Sequence, residues 1–488
     1  MSYKVIPSGP TVKNWALVLL LVGVLAFLVS SSFYPIKDYD EATYAQVFHE
    51  SVISGNFTTF TRGGSSWIDK PPLLFWLMRP SVAVFGESEF GLRLPNIFLT
   101  VLGIALVYLF ALELSKRRDI ASVSALILAT TSEWIYAGRE IRFDVAVAVA
   151  ILAAVYCFVR SWDKEKWLVG FWLAVAAGVL FKSIIGFLAM PIALVFAIVY
   201  KKWHWLKSPW FYLGGMVFLL VAIPWHYLQY KAYGSLFFTQ YLGYHLLSRF
   251  NSSILGSADH GYFYYVKYLL KLTQPWATVF FGSLVYALIK LKEMLRLEQA
   301  RLLLSCTCSA LVVLIFFSVS TTKLFYYIEP MLPFVAISIA TLGYYLIEQV
   351  RFLKASTAKP IFAVLILSAF LLTAIQLFEI GDGMRFGEYA AARDEKSIAL
   401  LIADQKVSSD LYTSNTASWD TFRYYGAVKG VNLHISKLGK DIPGATFYLA
   451  IPISILEEYS LAEEIESRST EIYRGKVLAL FLVKEAEN

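Results

Sequence analysis

Charge is what this chain has least of. Asp, Glu, Lys and Arg together make up 16% of its 488 residues, where an ordinary soluble domain carries roughly a quarter. Hydrophobic residues make up 58%. One soluble core of that size is excluded, because cores stop growing and chains split into domains. Cysteine is scarce as well. Cys157, Cys306 and Cys308 all lie inside apolar runs, and Cys306-Thr307-Cys308 lacks the spacing of a zinc knuckle. They read as buried free thiols and say nothing of the redox compartment. No basic patch with stacking aromatics accompanies the formal net charge of +7, so nucleic acid is not an expected partner. Internal repeats and low-complexity segments are missing too.

What the chain has instead is a series of apolar runs near the roughly 20 residues needed to cross a bilayer. They lie near 14–33, 92–114, 120–137, 143–159, 167–181, 183–200, 209–228, 273–290, 302–319, 325–347 and 360–378. The expected fold is a polytopic α-helical membrane protein of about 11 spans, with membrane lipids as its surroundings. The first run is too long for a signal-peptide core and reads as a retained span. Lys and Arg cluster in short alternate loops, such as Lys116 to Arg118 and Lys201, Lys202 and Lys207. Those loops are expected to be cytoplasmic. The long loops 34–91 and 229–272 then face outward, as does everything after residue 378. Residues 1–378 form the expected membrane domain. Residues 379–488 are richer in polar side chains and read as a small soluble α/β domain. In it DLYTSN, TFRYYG, FYLAIPI and KVLALFLV are expected strands, and Glu395 to Gln405 and Leu456 to Ser467 expected helices.

Ionisable residues gather at the outward ends of these spans. The first loop holds Asp38, Asp40, Glu41 and Tyr44, then Asp69 and Lys70 in WIDKPPLLFW. GREIRFD brings Arg139, Arg142 and Asp144; Lys182 sits between two apolar runs. His245 and Arg249 lie in YHLLSRF, and Lys323, Tyr326 and Tyr327 in STTKLFYYIEP. Each has a plainer reading. Asp40 and Asp144 suit helix N-caps, Lys182 and Lys323 could snorkel, Lys70 could be a loop lysine, and the tyrosines could be interfacial anchors. Taken together they argue for a site. Charges in spans are costly and mark function, and outward cations run against the loop bias. An anionic lipid headgroup accounts for both, with cations holding its phosphate.

The chain resembles the multispanning glycosyltransferases that use polyprenyl-phosphate sugars. Within them it is most similar to the branch containing the lipid A aminoarabinose transferases, with protein O-mannosyltransferases more distant. DEATYAQ, DKPPLLFW, FGESEFGLRLPN, FKSIIGFLAMP and TKLFYYIEPMLP carry the resemblance, in the family's order. The chain departs from the family pattern at Thr43, at Asp69, at Ser183-Ile184 in place of Gly-Pro, and at Phe325 in place of Pro. His245 lies four residues before Arg249, where the lipid A branch tends to have three. The resemblance implies transfer, with inversion, of a glycosyl group from a polyprenyl-phosphate donor to a lipid, glycan or protein acceptor. The reaction belongs at the outer face of the cytoplasmic membrane. Asp40 is the expected base, with Asp144 its partner. Lys70, Lys182, Arg142, Arg249, Lys323, Tyr44 and Tyr327 are expected around the donor phosphate. Asp69 and His245 could hold a divalent metal, zinc by their mixed ligands or magnesium through carboxylate and water. A transporter or flippase of lipid-linked sugars is the alternative; it predicts repeats and broken helices near the midplane. A membrane-anchored binding protein is a third reading.

Overall fold

The structure is a computed structural model. It describes residues 14–37, 39–248, 260–294, 298–349, 371, 386–405, 407–408, 410–414, 420–436, 446–458, 467 and 469–485. In chain order the principal helices are α1 (Asn14–Ser31), α2 (Asp40–Ser54), α3 (Leu73–Phe85), α4 (Glu89–Ser115), α5 (Arg118–Ala129) and α6 (Ser132–Gly138). Next come α7 (Phe143–Arg160), α8 (Trp167–Lys182), α9 (Ala189–Tyr200), α10 (Pro209–Tyr233), α11 (Tyr264–Leu272) and α12 (Trp276–Ile289). The last are α13 (Glu298–Val319), α14 (Leu332–Gln349), α15 (Phe386–Gln405), α16 (Asp420–Lys429) and α17 (Ile453–Glu458). Strands are β1 (Phe60–Arg62), β2 (Ser65–Trp67), β3 (Asp410–Ser414), β4 (Asn432–Ser436), β5 (Phe447–Pro452), β6 (Ser469–Arg474) and β7 (Leu478–Val483). The chain forms two compact units. One is Met1–Ser32, Ile68–Val84 and Arg93–Leu377; the other is Phe33–Trp67, Phe85–Leu92 and Phe378–Asn488.

The first unit is helical, and the chain is an integral membrane protein. Among the described residues six helical stretches are long and apolar enough to span: Glu89–Ser115, Phe143–Arg160, Trp167–Tyr200, Pro209–Tyr233, Ala300–Val319 and Phe325–Leu346. The pair α5–α6, bent by 64°, is a broken span, which would make a seventh, or a re-entrant loop. Eleven were expected. The run at 14–33 forms α1, the run at 273–290 the shorter helix α12, the runs at 167–181 and 183–200 fall in the one stretch Trp167–Tyr200, and 360–378 lies almost wholly outside the described residues. The helix α7 is buried on nearly all sides, packed against α8, α9 and the 3-10 turn Phe325–Met331. Between α8 and α9 the helix is interrupted by a 3-10 turn, Ser183–Leu188. Gly186 packs there so tightly that a Cβ would fall 2.3 Å from the Val179 nitrogen. Only glycine allows that closeness, and it lets Lys182 stand at the corner.

The second unit contains a five-stranded sheet in the order β4-β3-β5-β7-β6. Its first two pairings are parallel and its last two antiparallel. Strands β5 and β7 are central and read as almost continuous apolar runs, as strands buried on both faces do; Phe447, Leu449, Ile451, Ala479, Phe481 and Val483 make their core. TFRYYG, an expected strand, is part of α16 instead. Its aromatics favour a strand locally, but Asp420 in the first turn and Lys429 in the last suit the helix dipole. Phe422 and Tyr425 then fall on one buried helical face, so packing overrides propensity. Strands β4 and β6 were not anticipated. Of the helix expected over Leu456 to Ser467, Ile453–Glu458 is helical; 459–466 lies outside the described residues.

The same unit includes α2 and the β1–β2 hairpin. Gly63 and Gly64, at φ 59° and 74°, make its two-residue turn, which needs positive φ at both positions. Glu50 of α2 holds that turn by accepting hydrogen bonds from Gly63 N at 2.6 Å and Thr61 Oγ1 at 2.6 Å. Helix α16 joins the network through Tyr425. Its hydroxyl accepts from the Ile36 amide at 2.8 Å and donates to Glu89 Oε1 at 2.8 Å. Ile36 is fully buried, so removing the hydroxyl strands a buried N–H. Tyr425→Phe is therefore expected to destabilise by about 1–3 kcal/mol, read as a lower unfolding temperature in a fixed detergent.

Candidate active site

The loop Arg139 to Arg142 ends at α7, with Arg142 extended at φ −135° as its N-cap. Asp144 is therefore the second residue of a buried helix, inside the first turn, and no side-chain cap bond forms at that N-terminus. The capping reading gives way to an ion pair: Lys182, in the last turn of α8, binds the Asp144 carboxylate. Its ammonium also lies 4.6 Å from the centre of the Tyr327 ring and 5.8 Å from that of Tyr326. The Arg142 guanidinium lies 4.5 Å from the Tyr326 ring centre and pairs with Glu140 at 2.8 Å. Two cations thus meet two tyrosines of one 3-10 turn, an arrangement that cation–π attraction favours.

The supports of this cluster explain part of FGESEFGLRLPN. Asn96 Nδ2 of α4 donates to the Arg142 carbonyl at 2.6 Å. Arg93, fully buried, donates to the Ser32 carbonyl at 3.0 Å. Both residues place backbone. On the 3-10 turn's other flank, Tyr265 donates to the Leu324 carbonyl at 3.1 Å. Lys323, expected at the phosphate, donates to the Ser320 carbonyl at 2.6 Å.

Lys70 pairs with its neighbour Asp69 at 2.7 Å. Tyr241, which the sequence did not single out, links this pair to the Lys182 corner: it is hydrogen-bonded to Ser183 and feels the Asp69 charge. Burial pushes its phenol up, the Ser183 bond opposes that, and Asp69 adds to it. Tyr241 is a neutral hydrogen-bonding group. Ser183 stands at φ 54°, ψ −143°, where only glycine is comfortable; the family pattern places glycine at this position. Ser183→Ala keeps the strain and loses the Tyr241 bond, for about 1 kcal/mol lost. Ser183→Gly also loses the bond but relieves strain worth about 1–3 kcal/mol. Thermal unfolding is expected to rank Gly above Ala, the reverse of their order in a helix interior.

Asp40 and Tyr44 belong to the other unit. Helix α2 starts at Asp40 itself, with Tyr39 at the N-cap position and no side-chain cap bond. Glu41 Oε2 accepts from the Lys37 amide at 3.2 Å, so Glu41 organises the turn before the helix. Tyr44 packs edge-on against Trp67, ring centres 6.2 Å apart. Asp38, Arg249 and the His245 side chain lie outside what is described. Of the two expected metal ligands only Asp69 is described, and it is engaged by Lys70; among the described residues no three His, Cys, Asp or Glu side chains come together.

Residues 69–228 match the family model described as dolichyl-phosphate-mannose-protein mannosyltransferase, a stretch that holds Lys70, Arg142, Asp144 and Lys182. The chain is 26% identical over 340 residues to the undecaprenyl phosphate-alpha-4-amino-4-deoxy-L-arabinose arabinosyl transferase 1 of Pseudomonas fluorescens, covering 67% of this chain and 57% of that one. The undecaprenyl phosphate-alpha-4-amino-4-deoxy-L-arabinose arabinosyl transferase 2 of Proteus mirabilis is 26% identical over 68% of this chain and 60% of its own. The chain thus spans 57% and 60% of the lengths of these two relatives. Among solved structures, ArnT from Cupriavidus metallidurans bound to undecaprenyl phosphate superposes with a TM-score of 0.70 at 19% identity, over 96% of this chain and 98% of that one. The chain shares the fold of that glycosyltransferase structure. A more distant member of that fold, the archaeal oligosaccharyltransferase AglB from Archaeoglobus fulgidus in complex with an inhibitory peptide and a dolichol-phosphate, gives a TM-score of 0.56 at 12% identity, over 91% and 70% of the two chains. Another AglB structure is a complex with zinc and sulfate. This C-type fold agrees with the order of motifs in the sequence and gives the transporter reading no support.

Proposed function

We propose that this chain transfers a glycosyl group from a polyprenyl-phosphate donor to an acceptor at the extracytoplasmic face of the membrane. The observation that carries the reading is the Lys182–Asp144 pair, set with Arg142 against Tyr326 and Tyr327. A phosphodiester brought to this cluster competes with Asp144 for Lys182. It gains charge-assisted hydrogen bonds and frees a carboxylate beside the reacting sugar. In the transfer, the bond between the anomeric carbon and the phosphate oxygen breaks, and its electron pair leaves with the polyprenyl phosphate. A bond forms from the acceptor oxygen to the opposite face of the same carbon, which inverts it. Lys182 and Arg142 stabilise the charge growing on the phosphate, assisted by Lys70, Arg249, Lys323, Tyr44 and Tyr327. Where the acceptor is a hydroxyl, Asp40 takes its proton, with Asp144 as the partner that orients the acceptor. No step is routed through a divalent cation; Asp69 and His245 remain the proposed ligands if one binds.

The donor is the part of the proposal with the most support, through the relatives' shared use of lipid-phosphate carriers in their names. The acceptor is a lipid A-like glycolipid, another glycan or a protein. The test is transfer by the purified full chain in detergent or nanodiscs from a synthetic polyprenyl-phosphate sugar. Released polyprenyl phosphate and glycosylated acceptor are measured together and expected in equal amounts. A preparation that binds the donor but releases none with any of the three acceptor classes overturns the reading.

A further inference from the structure

Asp40, the proposed base, is delivered by a strained turn. Tyr39, the residue before it, stands at φ 67°, ψ −119°, a conformation natural to glycine and costly for other residues. Such strain persists only where the surroundings hold it. Part of the hold is local. The Lys37 amide donates to Glu41 Oε2 at 3.2 Å, the Ala42 amide to the Lys37 carbonyl at 3.1 Å and the Thr43 amide to the Tyr39 carbonyl at 3.0 Å. A further bond reaches in from α16: the Ile36 amide donates to the Tyr425 hydroxyl at 2.8 Å. The direction of that bond is fixed. An amide N–H only donates and an ionised carboxylate only accepts. Glu89 is ion-paired with Lys396 of α15, so the Tyr425 proton goes to Glu89, at 2.8 Å, and the phenol oxygen is left for Ile36. Tyr425 is 6% exposed, which keeps water from competing. Helix α16 is fastened to the same stretch at two more points. Asp420, in its first turn, pairs with Arg62 of β1, and the Tyr424 ring lies edge-on to His49 of α2, ring centres 6.5 Å apart. All these groups belong to one compact unit.

We infer that Tyr425 is a positioning residue for Asp40: its hydroxyl pins the chain at Ile36, holds the strained turn at Tyr39 and so fixes where α2 begins and where its first carboxylate stands. The inference rests on the reading of Asp40 as the group that serves the acceptor. It goes beyond that reading by giving the segment after residue 378 a part in the reaction, through the helix that sets the turn before Asp40. Small displacements are enough for this to matter, since a shift of about 1 Å in a catalytic group can cost about 10²-fold in rate. Phenylalanine at 425 keeps the ring and removes both bonds of the hydroxyl.

A double-mutant cycle on the full chain tests this, because residues that act through one another fail to add. Tyr425→Phe is expected to lower kcat with a hydroxyl acceptor about tenfold or more, measured below its unfolding temperature. Affinity for bare polyprenyl phosphate is expected to change less than twofold. In an Asp40→Asn background the same change is expected to lower turnover less than twofold further, since no carboxylate is left to place. Tyr473→Phe controls for stability. It removes a 3.0 Å bond to Asp394 on the edge strand β6 of the same unit, and is expected to lower the unfolding temperature with turnover kept within twofold. Glu89→Ala takes away the acceptor that orients the Tyr425 hydroxyl. It is expected to repeat the Tyr425 pattern with a fall of about threefold or more, and it decides the matter if Tyr425→Phe fails to fold. Unchanged turnover in Asp40→Asn overturns the reading of Asp40. A fall in Asp40→Asn with none in Tyr425→Phe overturns the Tyr425 inference alone. So does an equal fall from Tyr425→Phe in both backgrounds, or an equal fall from Tyr473→Phe, because either pattern marks a residue that serves only stability.

Discussion

Lys182→Met is expected to lower sugar transfer by about 10²–10³-fold, the loss typical when one group aimed at developing negative charge is removed. The same change removes one member of a buried ion pair. Asp144 is 5% exposed, and leaving such a carboxylate alone costs about 3–5 kcal/mol. Lost activity in the single variant could therefore reflect lost folding. The double variant Lys182→Met with Asp144→Asn separates the two, since it removes both charges at once. Replacing both members of a buried pair is often close to neutral. Stability is expected to return towards wild type in the double variant while turnover stays low. Thermal unfolding and transfer, measured in the same detergent, give both numbers. Recovery of turnover along with stability would mean that the Lys182 charge serves the fold and not the phosphate.

Why Lys182 and Asp144 could be picked out, and their pairing could not, follows from what each signal is. A lysine between two apolar runs and an aspartate at the start of another are visible because charge in a span is expensive. Their meeting across 38 positions depends on the turn that joins α7 to α8 and on the packing of the two helices, and neither leaves a one-dimensional trace. The capping reading of Asp144 failed for the same reason: a cap is a local inference, and the partner that won is distant. Arg93 and Asn96 were visible as motif letters, but their work of holding backbone carbonyls is seen only in three dimensions. Tyr241 had no mark beyond being an aromatic in an aromatic-rich loop. Ser183 did leave a trace, as a departure from glycine, and its φ of 54° gives that departure its physical content.

The second unit shows the other limit. Hydropathy separated the residues after 378 from the membrane runs, and alternation and apolar content found β3, β5 and β7. Nothing in the sequence said that the segment around Ile36 and α2 would be stitched to α16, 389 positions away. TFRYYG misled because aromatic residues favour strands locally, while here the burial of Phe422, Tyr424 and Tyr425 on a helix outweighs that preference.

Asp40→Asn carries the other large expectation: a fall in turnover of about 10²–10⁴-fold, the usual worth of a positioned general base, with donor affinity kept. Asparagine preserves the size of the side chain and removes only its capacity to take a proton. Asp40 opens α2. Glu41, its neighbour, is held by the Lys37 amide and organises the turn, so Glu41→Gln is expected to affect stability more than turnover. The acceptor decides how the Asp40 result reads. A hydroxyl must lose a proton as it attacks, whereas a phosphate oxygen is already anionic and needs no base. If transfer to a hydroxyl acceptor collapses in Asp40→Asn while transfer to a phosphate acceptor survives, Asp40 is the base. If both collapse with donor binding intact, its role is to orient the acceptor. Unchanged turnover on both removes Asp40 from the site and leaves the chemistry to the Lys182–Asp144 cluster alone.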